Sequence, residues 1–333
     1  MEHRQIIADL KNKVYHPIYF LSGEEAYYID LVADYIEDHI LDENEREFNQ
    51  TVLYGKETDM LTVISEAKRY PMMANHNVVI VKEAQHLEKE LDKLESYLEQ
   101  PTPSTILVFC FKYKTLDGRK SVSKKLKKQA VFLESKKLYD NQIPQWIEGF
   151  LKNKKYTINP HASALIAEFL GTDLSKVANE LNKLTINLPQ GSDITPEIVE
   201  QNIGISKDFN SFELNKAIGS KNVLKANQIV YHFTKNQKDH PIQMTIGILY
   251  NFFTNVLTYH YTTDKSKNNV AAALKINPFF VQEYQVAAQN YPIKKAVKII
   301  EYLREYDLKS KGVNNTSVDG GELLKELVFK IIH

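Results

Sequence analysis

The sequence predicts two kinds of structure in series, an α/β unit built on a parallel sheet and then an all-α remainder. Three observations carry this reading. Five short apolar runs in the first 140 residues alternate with stretches of helical spacing, the pattern of a parallel sheet covered on both faces. After Asp140 the apolar runs stop and only three-and-four spacing continues. The length, 333 residues, allows two or three domains of ordinary size.

The elements follow in order. Ile18-Tyr19-Phe20-Leu21, bounded by Pro17 and Gly23, reads as a buried strand. Ile29, Val32, Ala33, Ile36 and Ile40 then recur at helical spacing. Thr51-Val52-Leu53-Tyr54 before Gly55 is the second strand, and 60–68 is a helix stopped near Pro71. Val78-Val79-Ile80-Val81 is the third strand, and 87–98 a helix ended by Pro101 and Pro103. Thr105-Ile106-Leu107-Val108-Phe109 is the fourth, a basic helix follows, and Val131-Phe132-Leu133 is the fifth. Beyond Asp140 come a helix over 143–151 around Trp146 and one opening at Pro160 and capped by Gly171. Leu174, Val177, Leu181 and Leu184 stripe a third, 188–193 is a loop, and Pro196 opens a short helix. Helical spacing then recurs over 212–218, 223–233, 242–259, 270–274, 278–290, 293–309 and 321–332, with a polar hinge at 314–321. The predicted domains are 1–140 (α/β), 141–207 (small helical) and 208–333 (helical). No fixed-period repeat or low-complexity tract is present.

Composition is that of a globular protein, 43% hydrophobic and 25% charged. Basic and acidic residues number 42 each, so the basic excess of a simple nucleic-acid-binding domain is missing. The single cysteine, Cys110, excludes an internal disulfide framework and a cysteine-based zinc site, and fits a reducing cytoplasm. No targeting segment is expected, because Met1-Glu2-His3-Arg4 leads into a mixed helix without an apolar signal core. The most apolar stretch, 246–257, is shorter than the roughly 20 residues a bilayer needs and carries Asn251 and Asn255. Charge is nevertheless uneven. Residues 24–47 hold ten acids against Arg46, and 112–128 hold eight bases against Asp117. Such runs read either as solvated helix faces or as surfaces that meet partner subunits or a nucleic-acid backbone.

The turn Ser22-Gly23 between first strand and helix is where an NTPase places its phosphate loop. That loop needs G-x-x-x-x-G-K-[ST], but counting from Gly23 the second glycine falls on Tyr28, the lysine on Ile29 and the hydroxyl on Asp30. Glu24 and Glu25 also put negative charge where phosphate would sit. No H-E-x-x-H, nucleophile elbow or G-x-G-x-x-G occurs. The histidines are scattered; His76, His86 and His161 read as surface or cap residues, and Cys110 as an inert buried thiol. No cofactor or metal is expected.

An ATPase-like sheet without its phosphate loop, a small helical domain and a helical third domain together resemble the delta-subunit family of the bacterial DNA polymerase III clamp loader. The likeness runs over essentially the whole chain. Tyr19-Phe20-Leu21-Ser22-Gly23-Glu24-Glu25 resembles the family's first strand and degenerate turn. Pro71-Met72-Met73-Ala74 followed by Val78-Val79-Ile80-Val81-Lys82-Glu83-Ala84 resembles its apolar pair and following strand. Ile143-Pro144-Gln145-Trp146-Ile147 and the segment from Asp173 to Leu184 resemble its second domain. Phe209-Asn210-Ser211-Phe212-Glu213-Leu214 resembles the start of its third, and Asp307-Leu308-Lys309-Ser310-Lys311-Gly312 a signature near its end.

The resemblance implies an AAA+-like sheet domain with a degenerate phosphate loop, a helical lid and a helical collar. It implies a non-catalytic subunit of a nucleotidyltransferase holoenzyme that grips the sliding clamp (beta) and holds one interface of the ring open for loading onto primed DNA. Its partners would be the clamp, the ATPase motor subunits, delta-prime and, through the complex, primed DNA, in the cytoplasm at the replisome and nucleoid. The clamp-binding residues it implies are Tyr70, Pro71, Met72 and Met73, although the family more often carries leucine or an aromatic at the pair. Ser22, Gly23, Glu24 and Glu25 would not bind nucleotide. The basic helix, with Lys120, Lys124, Lys125, Lys127 and Lys128, is left open between DNA phosphates, the clamp surface and solvent. Two other readings stand beside this one. An NTP hydrolase with an unusual phosphate loop is opposed by the missing lysine and hydroxyl. A delta-prime-like ring subunit is opposed by the absence of an arginine beside Cys110.

Overall fold

All five apolar runs become strands of one sheet: β1 (Ile18–Gly23), β2 (Gln50–Tyr54), β3 (Asn77–Lys82), β4 (Thr105–Lys112) and β5 (Val131–Ser135). The order across the sheet is β2-β3-β4-β1-β5, and every pairing is parallel. The computed structural model describes every residue except Ile205, Lys207 and Thr316. Residue 207, which closes the predicted second domain, and residue 316, in the predicted hinge, thus lie outside the described residues. The chain forms two compact units, Met1–Leu138 and Tyr139–His333.

In the first unit, strand alternation serves two cores. Ile18, Phe20, Val79, Val81, Leu107, Phe109 and Phe111 face one side. There they meet α4 (Met60–Ala67), a 3-10 helix (Ala84–Leu94) and α6 (Ser121–Gln129), with the short α5 (Glu95–Glu99) between the latter two. Tyr19, Leu21, Val78, Ile80, Ile106, Val108 and Leu133 face the other side, against α1 (His3–Lys11) and α2 (Ala26–His39). A sheet buried on both faces has near-continuous apolar strands, which is what made them visible in the sequence. Cys110 lies in this second core, and burial pushes its thiol up to about 12.

Two local readings change. The segment over 87–98 is mostly 3-10 rather than α-helix, since Ala84, Leu87, Leu91 and Leu94 follow a spacing that both helix types accept. A further helix, α3 (Glu43–Asn49), intervenes before β2. It has one apolar residue, Phe48, so no periodicity announces it; a capping contact holds its start, with Glu45 accepting the Asp42 N–H at 3.0 Å.

The second unit is nearly all helical. It runs through α7 (Ile143–Asn153), α8 (Pro160–Leu170), α9 (Leu174–Ile186) and α10 (Pro196–Ile203). Then follow α11 (Ser211–Gly219), α12 (Val223–Lys235), α13 (Ile242–Tyr261), α14 (Lys267–Leu274), α15 (Val281–Asn290), α16 (Ile293–Ser310) and α17 (Gly320–Ile332). The expectation that strands stop at 140 is corrected by a two-residue parallel pair, β6 (Thr157–Ile158) with β7 (Asp193–Ile194), too short to show alternation. A single apolar cluster joins α11, α12, α13, α15, α16 and α17, centred on Phe233, Phe253, Tyr291 and Tyr306. At the junction of α8 with α11, Glu168 takes hydrogen bonds from the Ser211 backbone and side chain, while burial raises its pKa. His161, read as a surface or cap residue, lies in the first turn of α8. It is half-buried against Phe212 and Phe280, 4.0 Å from Glu213, and burial lowers its pKa. His76 is half-buried beside Tyr15. Among the described residues no helix is long and apolar enough to cross a membrane.

Candidate functional site

The predicted phosphate-loop corner lies at the C-terminal end of β1, and the chain itself fills it. Gly23 has φ +139°, and a Cβ there would stand 1.9 Å from the Ser135 carbonyl oxygen, so only glycine lets β5 come this close. The corner is then tied shut. The Ser135 hydroxyl donates to the Glu25 carbonyl at 2.7 Å, and the Glu25 N–H to the Ser135 carbonyl at 3.3 Å. The Ser22 hydroxyl donates to the Leu133 carbonyl at 3.2 Å. Glu25 is buried, and its carboxylate accepts the Tyr27 N–H at 3.0 Å as the N-cap of α2. An acidic side chain thereby takes one of the helix N-terminal donors that a phosphate would need. Glu24 is exposed.

At the opposite end of the same sheet, the turn before β3 carries the predicted apolar pair. Helix α4 ends at Ala67, and its last carbonyls are satisfied from elsewhere. The Asn77 amide donates to Glu66 at 3.0 Å and the Tyr97 hydroxyl to Ala67 at 3.2 Å. The chain then runs outward. Tyr70 is 82% exposed, Met72 58% and Met73 102%, with Pro71 half-buried among them. Apolar side chains of this size are usually inside. Met73 also holds φ +56°, a left-handed conformation that costs a non-glycine residue about 1 kcal/mol. Sequence reasoning did not single out what fixes this turn. Asn49, at the end of α3 and 2% exposed, accepts the Met72 N–H at 2.6 Å and donates to the Met72 carbonyl at 2.9 Å. The signal available was an asparagine at a helix end just before a strand, too common to single out.

The basic stretch separates into spent and open charges. Lys112 pairs with Asp30 at 2.5 Å and Lys114 with Glu88 at 3.0 Å, so part of the basic run is neutralised by this unit's own acids. Lys82 likewise pairs with Glu37 at 2.8 Å. Between these pairs, burial and the neighbouring Asp30 raise the Asp34 pKa. The Arg119 side chain, hydrogen-bonded to Asp117, pulls that carboxyl down to about 2. Lys125 bridges Glu95 at 3.0 Å and Glu99 at 2.8 Å, which ties α6 to α5 and removes it from any outward-facing set. Lys127 lies over the Phe132 ring at 5.4 Å. Lys120, Lys124, Lys127 and Lys128 are exposed and form no ion pair among the described residues.

The comparisons agree in direction. The family model described as DNA polymerase III, delta subunit matches residues 19–136. That of the DNA polymerase III delta subunit, C-terminal domain matches 208–325. DNA polymerase III subunit delta of Bacillus subtilis (strain 168) is 28% identical over 329 residues, covering 96% of this chain and 93% of that one. The solved Bacillus subtilis DNA clamp loader delta protein is 25% identical, with TM-score 0.54 and 99% of each chain covered. The sheet unit, the helical unit and these likenesses define a clamp-loader subunit of the bacterial replication machinery. Within that class the chain belongs to the DNA polymerase III delta-subunit family.

Proposed function

We propose that this chain is the clamp gripper of its loader: it binds the sliding clamp through Met72 and Met73, flanked by Tyr70 and Pro71, and helps hold the ring open. The observation that carries the reading is the outward exposure of this apolar pair on a turn fixed from behind by Asn49. Each methionine buried in a partner's pocket contributes roughly 1.5–3 kcal/mol, enough for a binding hot spot. The thioether chain suits an irregular pocket but loses more rotamer freedom than a leucine would. Opening follows if the subunit binds the open or strained ring better than the closed one.

The chemistry is supplied by others. With Gly23 and Ser135 in contact and Glu25 capping α2, this subunit leaves nucleotide binding to the motor subunits. Residues 141–207 serve as the small helical domain and 208–333 as the collar that packs with the motor subunits and delta-prime. Lys120, Lys124, Lys127 and Lys128 offer a weak phosphate-facing or partner-facing surface on primed DNA or a neighbour. The work takes place in the cytoplasm, at the replisome.

The deciding experiment measures binding of the purified chain to the sliding clamp from the same source, beside Met72→Ser/Met73→Ser with its fold checked by circular dichroism. The double variant is expected to lose about 2 kcal/mol, roughly thirtyfold in affinity. Equal binding by both proteins rejects the pair as the contact. No binding by either rejects the gripper role, and micromolar ATP binding by the isolated chain then favours an NTP hydrolase.

A further inference from the structure

We infer that Asn49 is the positioning residue that presents Met72 and Met73 to the clamp, a role that rests on the gripper reading above. One side-chain amide engages both backbone groups of Met72. Its oxygen accepts the N–H at 2.6 Å and its nitrogen donates to the C=O at 2.9 Å. The remaining amide hydrogen goes to the Glu45 carbonyl of α3 at 2.9 Å. Three of the four hydrogen-bonding positions of an amide are thus in use, and the side chain is 2% exposed.

This exchange of both bonds is what a residue in a neighbouring strand would do for Met72. Among the described residues Met72 has no such strand neighbour, and β3 begins only at Asn77. Asn49 replaces it, and so holds the backbone of Met72 while every bond it makes leaves the two methionine side chains free. The residue that follows, Met73, is held in the left-handed region with its side chain fully exposed. A loop free to sample extended conformations would have to be ordered as it binds, and its apparent affinity would fall by the fraction of time it spends in the competent shape. Asn49 removes that loss before the clamp arrives. An aspartate in its place would keep the acceptor and lose both donors, and an alanine would lose all three bonds.

The test is a double-mutant cycle on the full chain, with the sliding clamp as the probe and affinity as the readout. Asn49→Ala is expected to weaken clamp binding about tenfold, the worth of one to two hydrogen bonds. In the Met72→Ser/Met73→Ser background it is expected to add almost nothing, because the groups it positions are gone. Full additivity in that background overturns the inference, since Asn49 would then act on binding by another route. Wild-type affinity in Asn49→Ala also overturns it, while a loss in Met72→Ser/Met73→Ser alone leaves the gripper reading intact. If the methionine double variant binds like wild type, the reading and the inference fall together. Hydrogen exchange on the wild-type chain serves even if Asn49→Ala fails to fold. The Met72 amide is expected to exchange at least about tenfold more slowly than that of Met73, and a fast-exchanging Met72 amide overturns the inference.

Discussion

The two ends of the parallel sheet have been treated in opposite ways. The C-terminal ends of the strands are where open α/β sheets ordinarily receive ligands. In this chain that end is closed: Gly23 meets Ser135, and Glu25 occupies the start of α2. The N-terminal end, ordinarily the quiet side, carries Tyr70, Met72 and Met73 in solvent on a backbone braced by a buried amide. Both corners use unusual backbone, a glycine at φ +139° and a methionine at φ +56°. At the first, the unusual geometry lets two segments of the same chain come into contact. At the second it turns side chains away from the chain and into solvent. Backbone strain alone therefore does not mark a binding site; what surrounds it decides.

Substitutions separate the two ends. Gly23→Val is expected to have the largest effect, at least about 3 kcal/mol lost in urea unfolding, because the new side chain meets backbone that cannot yield. A near-wild-type unfolding midpoint would show that the closed corner is loose. Next, Met72→Ser/Met73→Ser should leave stability within about 0.5 kcal/mol while clamp affinity drops. A large fall in its melting temperature would place the pair in the core instead. Glu25→Ala should cost about 1 kcal/mol as a lost helix cap and confer no ATP affinity in an isothermal titration. A carboxyl belonging to neither end gives a control. Burial raises the pKa of Glu168 above its ordinary 4.5, so the folded chain holds that proton more tightly than the unfolded one. Its contribution is complete below the unfolded value and fades as pH rises through the folded one. Glu168→Gln should therefore flatten the decline of melting temperature with rising pH, and an unchanged profile would show the group to be well solvated. The smallest effect is expected from Lys124→Glu/Lys128→Glu, which should change stability by less than about 0.5 kcal/mol and reduce the salt dependence of DNA binding by the assembled loader. An unaltered salt slope would make this helix face a solvated one.

The sheet was legible because strands buried on both faces are apolar at every position, as 78–81 and 106–109 are. The departure of the 22–25 turn from a phosphate loop was legible because that chemistry demands particular residues at fixed spacing. Three features were not. Helix α3 has a single apolar residue, β6 and β7 have two residues each, and the helix over 84–94 shares its spacing with an α-helix. Each falls below the length or contrast at which periodicity speaks. The exposure of Met72 and Met73 was expected only through resemblance, since composition and spacing assign an apolar pair to the core. Its brace, Asn49, lies 23 residues upstream and is joined to it only by folding. Of the basic residues, Lys125 could not be told from its neighbours by sequence, because its partners Glu95 and Glu99 belong to a different helix.

The burial of Cys110 has a practical consequence. The chain's one native thiol lies inside the sheet's core with its ionisation pushed up to about 12, so at neutral pH almost none of it is thiolate. A maleimide dye should leave the native protein unmarked. A cysteine introduced at position 73, on the fully exposed tip of the turn, would then be the single reactive handle. A fluorophore attached there would report whether the tip enters a partner's pocket, without first removing the native cysteine.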